Sequence, residues 1–156
     1  MTFSVRRIDQ TEALASAHII VKAYAAPPWE ERWDLDNARR RLAELCSSAD
    51  TIALAALDRH EIVGFVFASP YTSAIGTGLY IAEIAVSPSH QRMGIGTALL
   101  SHIEREAIRL RYKQIWLVSR QAGGVADYYR ANGYDQSKNL CVYSKAVKET
   151  TASQVA

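Results

Sequence analysis

The spacing of apolar residues changes period several times along the chain, and each change marks an element. "FSVRR" alternates and predicts a strand, and Asp9 and Glu12 behind it have the spacing of a capping box, which predicts a helix start. Leu14, Ala17, Val21 and Tyr24 then recur at helical spacing, so one helix is expected up to "APP" at Ala26 to Pro28, where proline stops it. Beyond "WEERWDLD", a second helical stretch carries Ala38, Leu42 and Leu45. "TIALAAL" and "EIVGFVFAS", separated only by "DRHE", predict an antiparallel hairpin. A Gly-rich loop, "SPYTSAIGTG", leads into the buried strand "LYIAEIAV". Ile95, Leu99, Ile103, Ala107 and Leu110 form an apolar stripe that is the strongest helix signal in the chain. "QIWLV" predicts a short strand, "VADYYRAN" a helix closed by Gly133, and "LCVYSKA" a last strand. The order β-α-α-β-β-β-α-β-α-β mixes hairpins with crossovers, so a mixed α/β sheet with helices on both faces is expected.

Gly94 and Gly96 stand where the long stripe begins. A helix N-terminus offers unpaired N–H groups and the positive end of the macrodipole, and glycines there let an anion approach the backbone. Gln91 and Arg92 can add donors from the turn. A tight strand-to-helix connection in which Gly94 accommodates a positive φ explains the same residue. The lysine of GxxxxGK[ST] and the spacing of GxGxxG are both missing, which argues against a nucleoside-triphosphate loop and a dinucleotide fold.

Composition narrows the picture only modestly. The 156 residues suit one domain, expected over residues 1–147, with 148–156 a flexible tail. A net charge of +2 is too small to argue for a nucleic-acid partner. Arg39, Arg40 and Arg41 form the only basic triplet and are expected on a solvated helix face. No apolar run spans a bilayer and "MTFSVRRIDQ" lacks a signal-peptide core, so no membrane association and a cytoplasmic location are expected. Cys46 and Cys141 have no paired spacing, and His18, His60, His90 and His102 no zinc-like spacing, so no metal is expected. His90, beside the glycine turn, is expected to be merely solvent-exposed.

"IAEIAVSPSHQRMGIGTALL" resembles the acetyl-CoA-binding motif of the GNAT superfamily of N-acetyltransferases, Q/R-x-x-G-x-G/A after a strand ending in V-x-P. "YYRANGY" resembles that family's downstream tyrosine segment and puts Tyr129 on its recurrent tyrosine. The resemblance covers the element order from residue 3 to about 146. It implies a mostly antiparallel sheet with a V-shaped split between central strands, acetyl-CoA as co-substrate, and transfer to an amine. The pyrophosphate would rest on Arg92, Met93, Gly94, Ile95, Gly96 and Thr97, with Gln91 beside it. The pantetheine arm would run along Ala85 and Val86, whose N–H would polarise the thioester carbonyl. Family members often carry an asparagine where this chain has Gly123, which puts that pantetheine contact in doubt. The resemblance leaves a homodimer open.

Acetyl transfer to an amine needs a base for the ammonium and an acid for the departing thiolate. The resemblance assigns the acid to Tyr129, a hydroxyl protonated at neutral pH. Glu83, acidic in an otherwise apolar strand, is the candidate base, directly or through a water; pairing with a basic side chain is the alternative. Direct attack is expected over an acetyl-cysteine route, because neither cysteine lies in a nucleophile motif. In the family the segment between the first helices and the β3-β4 loop line the acceptor side. Trp29 and Trp33 would there wall a pocket, with Glu30, Glu31, Asp34 and Asp36 attracting a cationic amine, and Tyr71 a loop contact. The same tryptophans could simply pack, and the same acids favour a helix N-terminus. A module that binds acyl-CoA without turning it over, and a different acyl donor or acceptor, remain alternatives.

Overall fold

The computed structural model describes residues 2–148. The chain divides into two compact units, Met1–Arg120 and Gln121–Ala156. Residues 149–156, most of the expected tail, lie outside the described residues.

In the first unit the capping box forms: Glu12 N–H donates to Asp9 at 2.8 Å and Asp9 N–H donates to Glu12 at 3.2 Å. The one helix expected after it is two, α1 Gln10–Ala15 and α2 His18–Ala23. The break falls at buried Ser16, whose hydroxyl donates to Ala13 O at 2.7 Å and competes with continuation of the helical ladder. α3, Leu35–Cys46, starts at Asp34, whose carboxylate accepts from Asn37 N–H at 2.7 Å.

Among the described residues, five strands follow chain order across one sheet: β1 Ser4–Arg7, β2 Ile52–Asp58, β3 Glu61–Ser73, β4 Gly76–Val86 and β5 Ile115–Trp116. Every pairing is antiparallel except the parallel contact of β4 with β5. α1 to α3 pack on Ala53, Ala55 and Leu57 of β2, Phe65 and Phe67 of β3, and Ala85 of β4. The alternate residues Leu54, Ala56 and Val66 are buried too, on the face against which α4, Ile95–Arg109, lays Leu99 and Ile103. Burial on both faces explains why β2 reads as a continuous apolar run.

Two local features shape β3 and β4 near the start of α4. A Cβ on Gly64 would come within 3.2 Å of both Ile95 Cγ2 and Ala85 O, so the missing side chain is what lets the start of α4 lie against the end of β4. In β4, Phe67 pairs with Glu83 but Ala68 pairs with Ile81, leaving Ala82 as the extra residue of a bulge.

Two expectations for this sheet need correction. The Gly-rich loop is a strand hairpin, paired from Thr72↔Thr77 and Ser73↔Gly76 onward, and on its other side the missing side chain of Gly78 lets the segment before β5 approach, since a Cβ there would lie 2.5 Å from Gln114 O. β5 keeps only two residues of "QIWLV", and Val118 beyond it is exposed. β4 therefore meets β5 only at Leu79↔Ile115 and Tyr80↔Trp116, and from Ile81 to Val86 has no strand on that side among the described residues. This is the expected split.

The second unit contains α5, Gly124–Ala131, followed by a turn in which Gly133 N–H donates to Arg130 O at 3.0 Å with φ 88°. The strand expected over "LCVYSKA" does not form: Leu140 and Tyr143 are 81% and 91% exposed. The segment alternates suitably, but among its described residues this unit has no second strand to supply ladder partners. No helix among the described residues is long and apolar enough to cross a membrane.

Candidate active site

The end of β4 and the start of α4 are tied together through backbone geometry. Ser87 N–H donates to Val63 O at 2.8 Å, so by the alternation of an antiparallel ladder Val86, one residue earlier, turns its N–H and C=O away from β3 and toward the split. The carbonyl is taken by Gln91, whose Nε2 donates to it at 3.2 Å. Gln91 is thus a brace between strand and turn as well as a possible donor. The chain passes through a short 3₁₀ turn, Pro88–His90, to Arg92 at φ 61° and Gly94 at φ 82°.

Gly94 is the N-cap of α4, and no side chain caps that end. A Cβ at Gly94 would have nothing within 4 Å. The positive φ explains the glycine as a turn residue, and the open space in front of uncapped N–H groups suits an anion; the two explanations coexist. Met93 and Thr97 are exposed beside this end, whereas Ile95 is buried and anchors the helix, so Ile95 can contribute only its backbone. His90 is not merely exposed: its Nε2 lies 3.4 Å from the Asp58 carboxylate and its Nδ1 2.9 Å from Ser89 Oγ. The carboxylate at the end of β2 thus holds the turn that precedes α4.

Glu83 lies on the α1–α3 face of β4 with a side chain only 13% exposed. Arg41 Nε of α3 donates to its Oε1 at 2.9 Å, and the Tyr24 hydroxyl, just past α2, donates to its Oε2 at 2.7 Å. The Tyr24 hydroxyl also lies 3.2 Å from Ile84 O, and Arg41 Nη2 lies 3.4 Å from Ala82 O, the carbonyl of the bulged residue. Of the basic triplet, Arg39 and Arg40 are exposed as expected, but Arg41 is drawn in by this carboxylate. Sequence reading missed Arg41 and Tyr24; the signal available was helical spacing, which puts Arg41 one position before the apolar Leu42.

Tyr24 also connects Glu83 to the segment expected on the acceptor side. Its ring lies 5.9 Å from Trp29 and 6.5 Å from Trp33. Trp33 Nε1 donates to Glu31 at 2.9 Å, and Asp34 is occupied as the α3 cap. The Arg120 guanidinium sits 5.3 Å from the Trp29 ring centroid and donates to Pro28 O at 2.6 Å, so a cation of the protein itself already covers that aromatic face. Glu30 is exposed and makes no ion pair among the described residues. Tyr71, expected on a loop, is on β3 and belongs to a different aromatic group, 5.4 Å from Trp116, which in turn lies 4.3 Å from Tyr80.

In the second unit Tyr129 lies on α5 between two rings, Tyr128 at 5.0 Å and Tyr134 at 5.8 Å. The Tyr128 hydroxyl is buried without a hydrogen-bond partner among the described residues, and burial, then the neighbouring Tyr129 and Tyr134, push it well above the ordinary tyrosine range. Gly123 is the N-cap of α5 at φ 90° and provides no capping side chain. No group of three or more His, Cys, Asp or Glu suited to a metal ion occurs among the described residues.

Comparison with known proteins bears on this arrangement. The family model described as "Acetyltransferase (GNAT) family" matches residues 18–134. The chain is 24% identical over 135 residues to the [ribosomal protein bS18]-alanine N-acetyltransferase of Escherichia coli, covering 86% of this chain and 82% of that protein. Among solved structures, a possible acetyltransferase from Clostridium difficile 630 aligns with a TM-score of 0.76 at 16% identity, over 94% of this chain and 100% of that one. AAC(6')-Iy, in complex with the bisubstrate analog CoA-S-monomethyl-acetylneamine, aligns with a TM-score of 0.73 at 14% identity over the same shares. At these identities the structural likeness is one of fold.

Proposed function

The chain belongs to the acetyltransferase (GNAT) family and is an acetyl-transferring enzyme, and we propose that it moves the acetyl group of acetyl-CoA to a cationic primary amine by direct attack in a ternary complex. The observation that carries this reading is the uncapped, glycine-started α4 directly behind a strand end whose Val86 N–H faces the split. Acetyl-CoA would supply the activated carbonyl. N–H groups from Arg92 to Thr97 would hold its pyrophosphate, Ala85 and Val86 would border its pantetheine arm, and Val86 N–H would donate to the carbonyl oxygen as negative charge develops there. The family match spans both compact units, which supports one functional domain over residues 1–147.

Glu83 accepts the ammonium proton through a water. Arg41 and Tyr24 each take one lone-pair position of its carboxylate, which has about four, so acceptor capacity remains. The neutral amine then attacks the carbonyl carbon; as the C–S bond breaks, the Tyr129 hydroxyl gives its proton to the thiolate, the extra proton on the new amide nitrogen restores that hydroxyl, and Glu83 returns its proton to solvent. Trp29, Trp33 and Glu30 border the acceptor, with Tyr71 an outlying contact. Because Arg120 covers Trp29, the carboxylate of Glu30 is the better attractor of positive charge. The relatives act on a ribosomal-protein alanine or carry a neamine-type group in a bisubstrate analog, and both chemistries present such an amine. A cytoplasmic location and a homodimer complete the proposal.

Thiol release from acetyl-CoA, measured against amines sorted by charge and size, tests it. Turnover with cationic primary amines is expected. Acetyl-CoA binding without turnover across the panel would instead support a binding module.

A further inference from the structure

We infer that Arg41 and Tyr24 are positioning residues that hold the Glu83 carboxylate in its working orientation, an inference that rests on the base role proposed for Glu83. The bulge at Ala82 interrupts the β3-β4 ladder one residue before Glu83, so the ladder alone fixes that stretch less firmly than its neighbours. Arg41 spans the irregularity, with Nε 2.9 Å from Glu83 Oε1 and Nη2 3.4 Å from the Ala82 carbonyl. Tyr24 grips the other carboxylate oxygen at 2.7 Å and reaches Ile84 O at 3.2 Å. Two helical elements thus clamp the carboxylate and the backbone on either side of it. With Glu83 13% and Arg41 31% exposed, the pair is shielded enough for its geometry to persist.

The Tyr24 ring also lies 5.9 Å from Trp29 and 6.5 Å from Trp33, so the clamp adjoins the segment proposed to border the acceptor. Among the described residues, Arg41 and Tyr24 are the titratable side chains hydrogen-bonded to Glu83 from the helices packed on this face; its partner on β3 is Phe67.

The experiment combines steady-state kinetics of Arg41→Gln, Arg41→Lys, Tyr24→Phe, Glu83→Gln and the double variant Arg41→Gln/Glu83→Gln. Misaiming a catalytic group costs up to about 100-fold, so Arg41→Gln should lower kcat by about 10- to 100-fold while the acetyl-CoA KM stays within about twofold. Arg41→Lys should recover part of kcat, since it keeps the charge and loses the fork. Tyr24→Phe keeps the ring and should lower kcat about threefold to tenfold. The double variant should be no slower than Glu83→Gln, because a positioning residue has nothing left to position. If Glu83→Gln is impaired but Arg41→Gln and Tyr24→Phe keep full kcat, the clamp is wrong and the base stands. If the Arg41 loss persists undiminished in the Glu83→Gln background, Arg41 acts elsewhere and the inference is overturned. Unchanged kcat in Glu83→Gln removes the base role and the clamp with it.

Discussion

Gly94 can be asked which of its two explanations matters, because its surroundings separate them. At φ 82° an alanine costs about 1–2 kcal/mol through contact of Cβ with its own backbone, since no other atom lies within 4 Å of the Cβ position. In a chain of this size that is a fall in Tm of about 3–6 °C. Asparagine tolerates the left-handed region better, so Gly94→Asn should recover most of the Tm lost by Gly94→Ala. The kinetic consequence runs the other way. Asparagine places a larger side chain in the open space before α4, and loss of one charge-assisted hydrogen bond to phosphate costs about 1.5–3 kcal/mol, or a rise of about 10- to 150-fold in acetyl-CoA KM. Thermal melts and initial-rate thiol release on the three proteins measure both quantities. A Gly94→Asn protein with near-normal Tm and unchanged KM would refute the anion seat and leave a plain turn.

Tyr129→Phe should lower kcat at least tenfold with little change in acetyl-CoA affinity, read by turnover and by titration of acetyl-CoA binding. Tyr128 behaves differently: its buried hydroxyl ionises above the ordinary value of 10.0, so the unfolded chain releases that proton first and stability falls as pH climbs past 10. Tyr128→Phe should flatten that alkaline loss in denaturant titrations and leave stability at pH 7 unchanged or slightly higher, because the hydroxyl has no partner to lose. Gly64→Ala should destabilise by about 1–3 kcal/mol and raise acetyl-CoA KM, since the new methyl meets Ile95 Cγ2 and Ala85 O at 3.2 Å and these neighbours must give by a few tenths of an ångström; equilibrium unfolding and kinetics check both effects.

What is legible in the sequence depends on whether the relevant interaction is local. The Asp9–Glu12 capping box, the α4 stripe and the glycine at the α4 start each involve neighbours within a turn or two, and each is observed. The break at Ser16 is also local, but a buried serine bonding backward has no distinct periodic signature. The last strand fails because alternation in "LCVYSKA" describes a strand's faces and says nothing of whether a partner edge is present. Arg41 is hidden for a different reason. Its partner is 42 positions away, and in the triplet it looks the same as Arg39 and Arg40; only the packing of α3 on β4 distinguishes it. The aromatic character of the segment after α2 is plain in the chain, yet Arg120 on Trp29 joins residues about ninety positions apart, beyond any pattern-based reading.

The brace from Gln91 to Val86 determines where this chain can change length. Its amide spans from the turn to the last residue of β4, so an added or deleted residue between Ser87 and His90 would pull the donor off the carbonyl and shift the α4 N–H groups along the strand. The hairpin turn at Ala74 and Ile75 is held only locally, Ser73 Oγ donating to Gly76 O at 3.3 Å and accepting from Ile75 N–H at 3.4 Å, so a longer turn there costs little. Substitution at position 91 is limited in the same way: arginine, like glutamine, can donate to the carbonyl, whereas an isosteric glutamate would face oxygen with oxygen. In this chain the first residue of the motif thus sets the spacing between strand and helix.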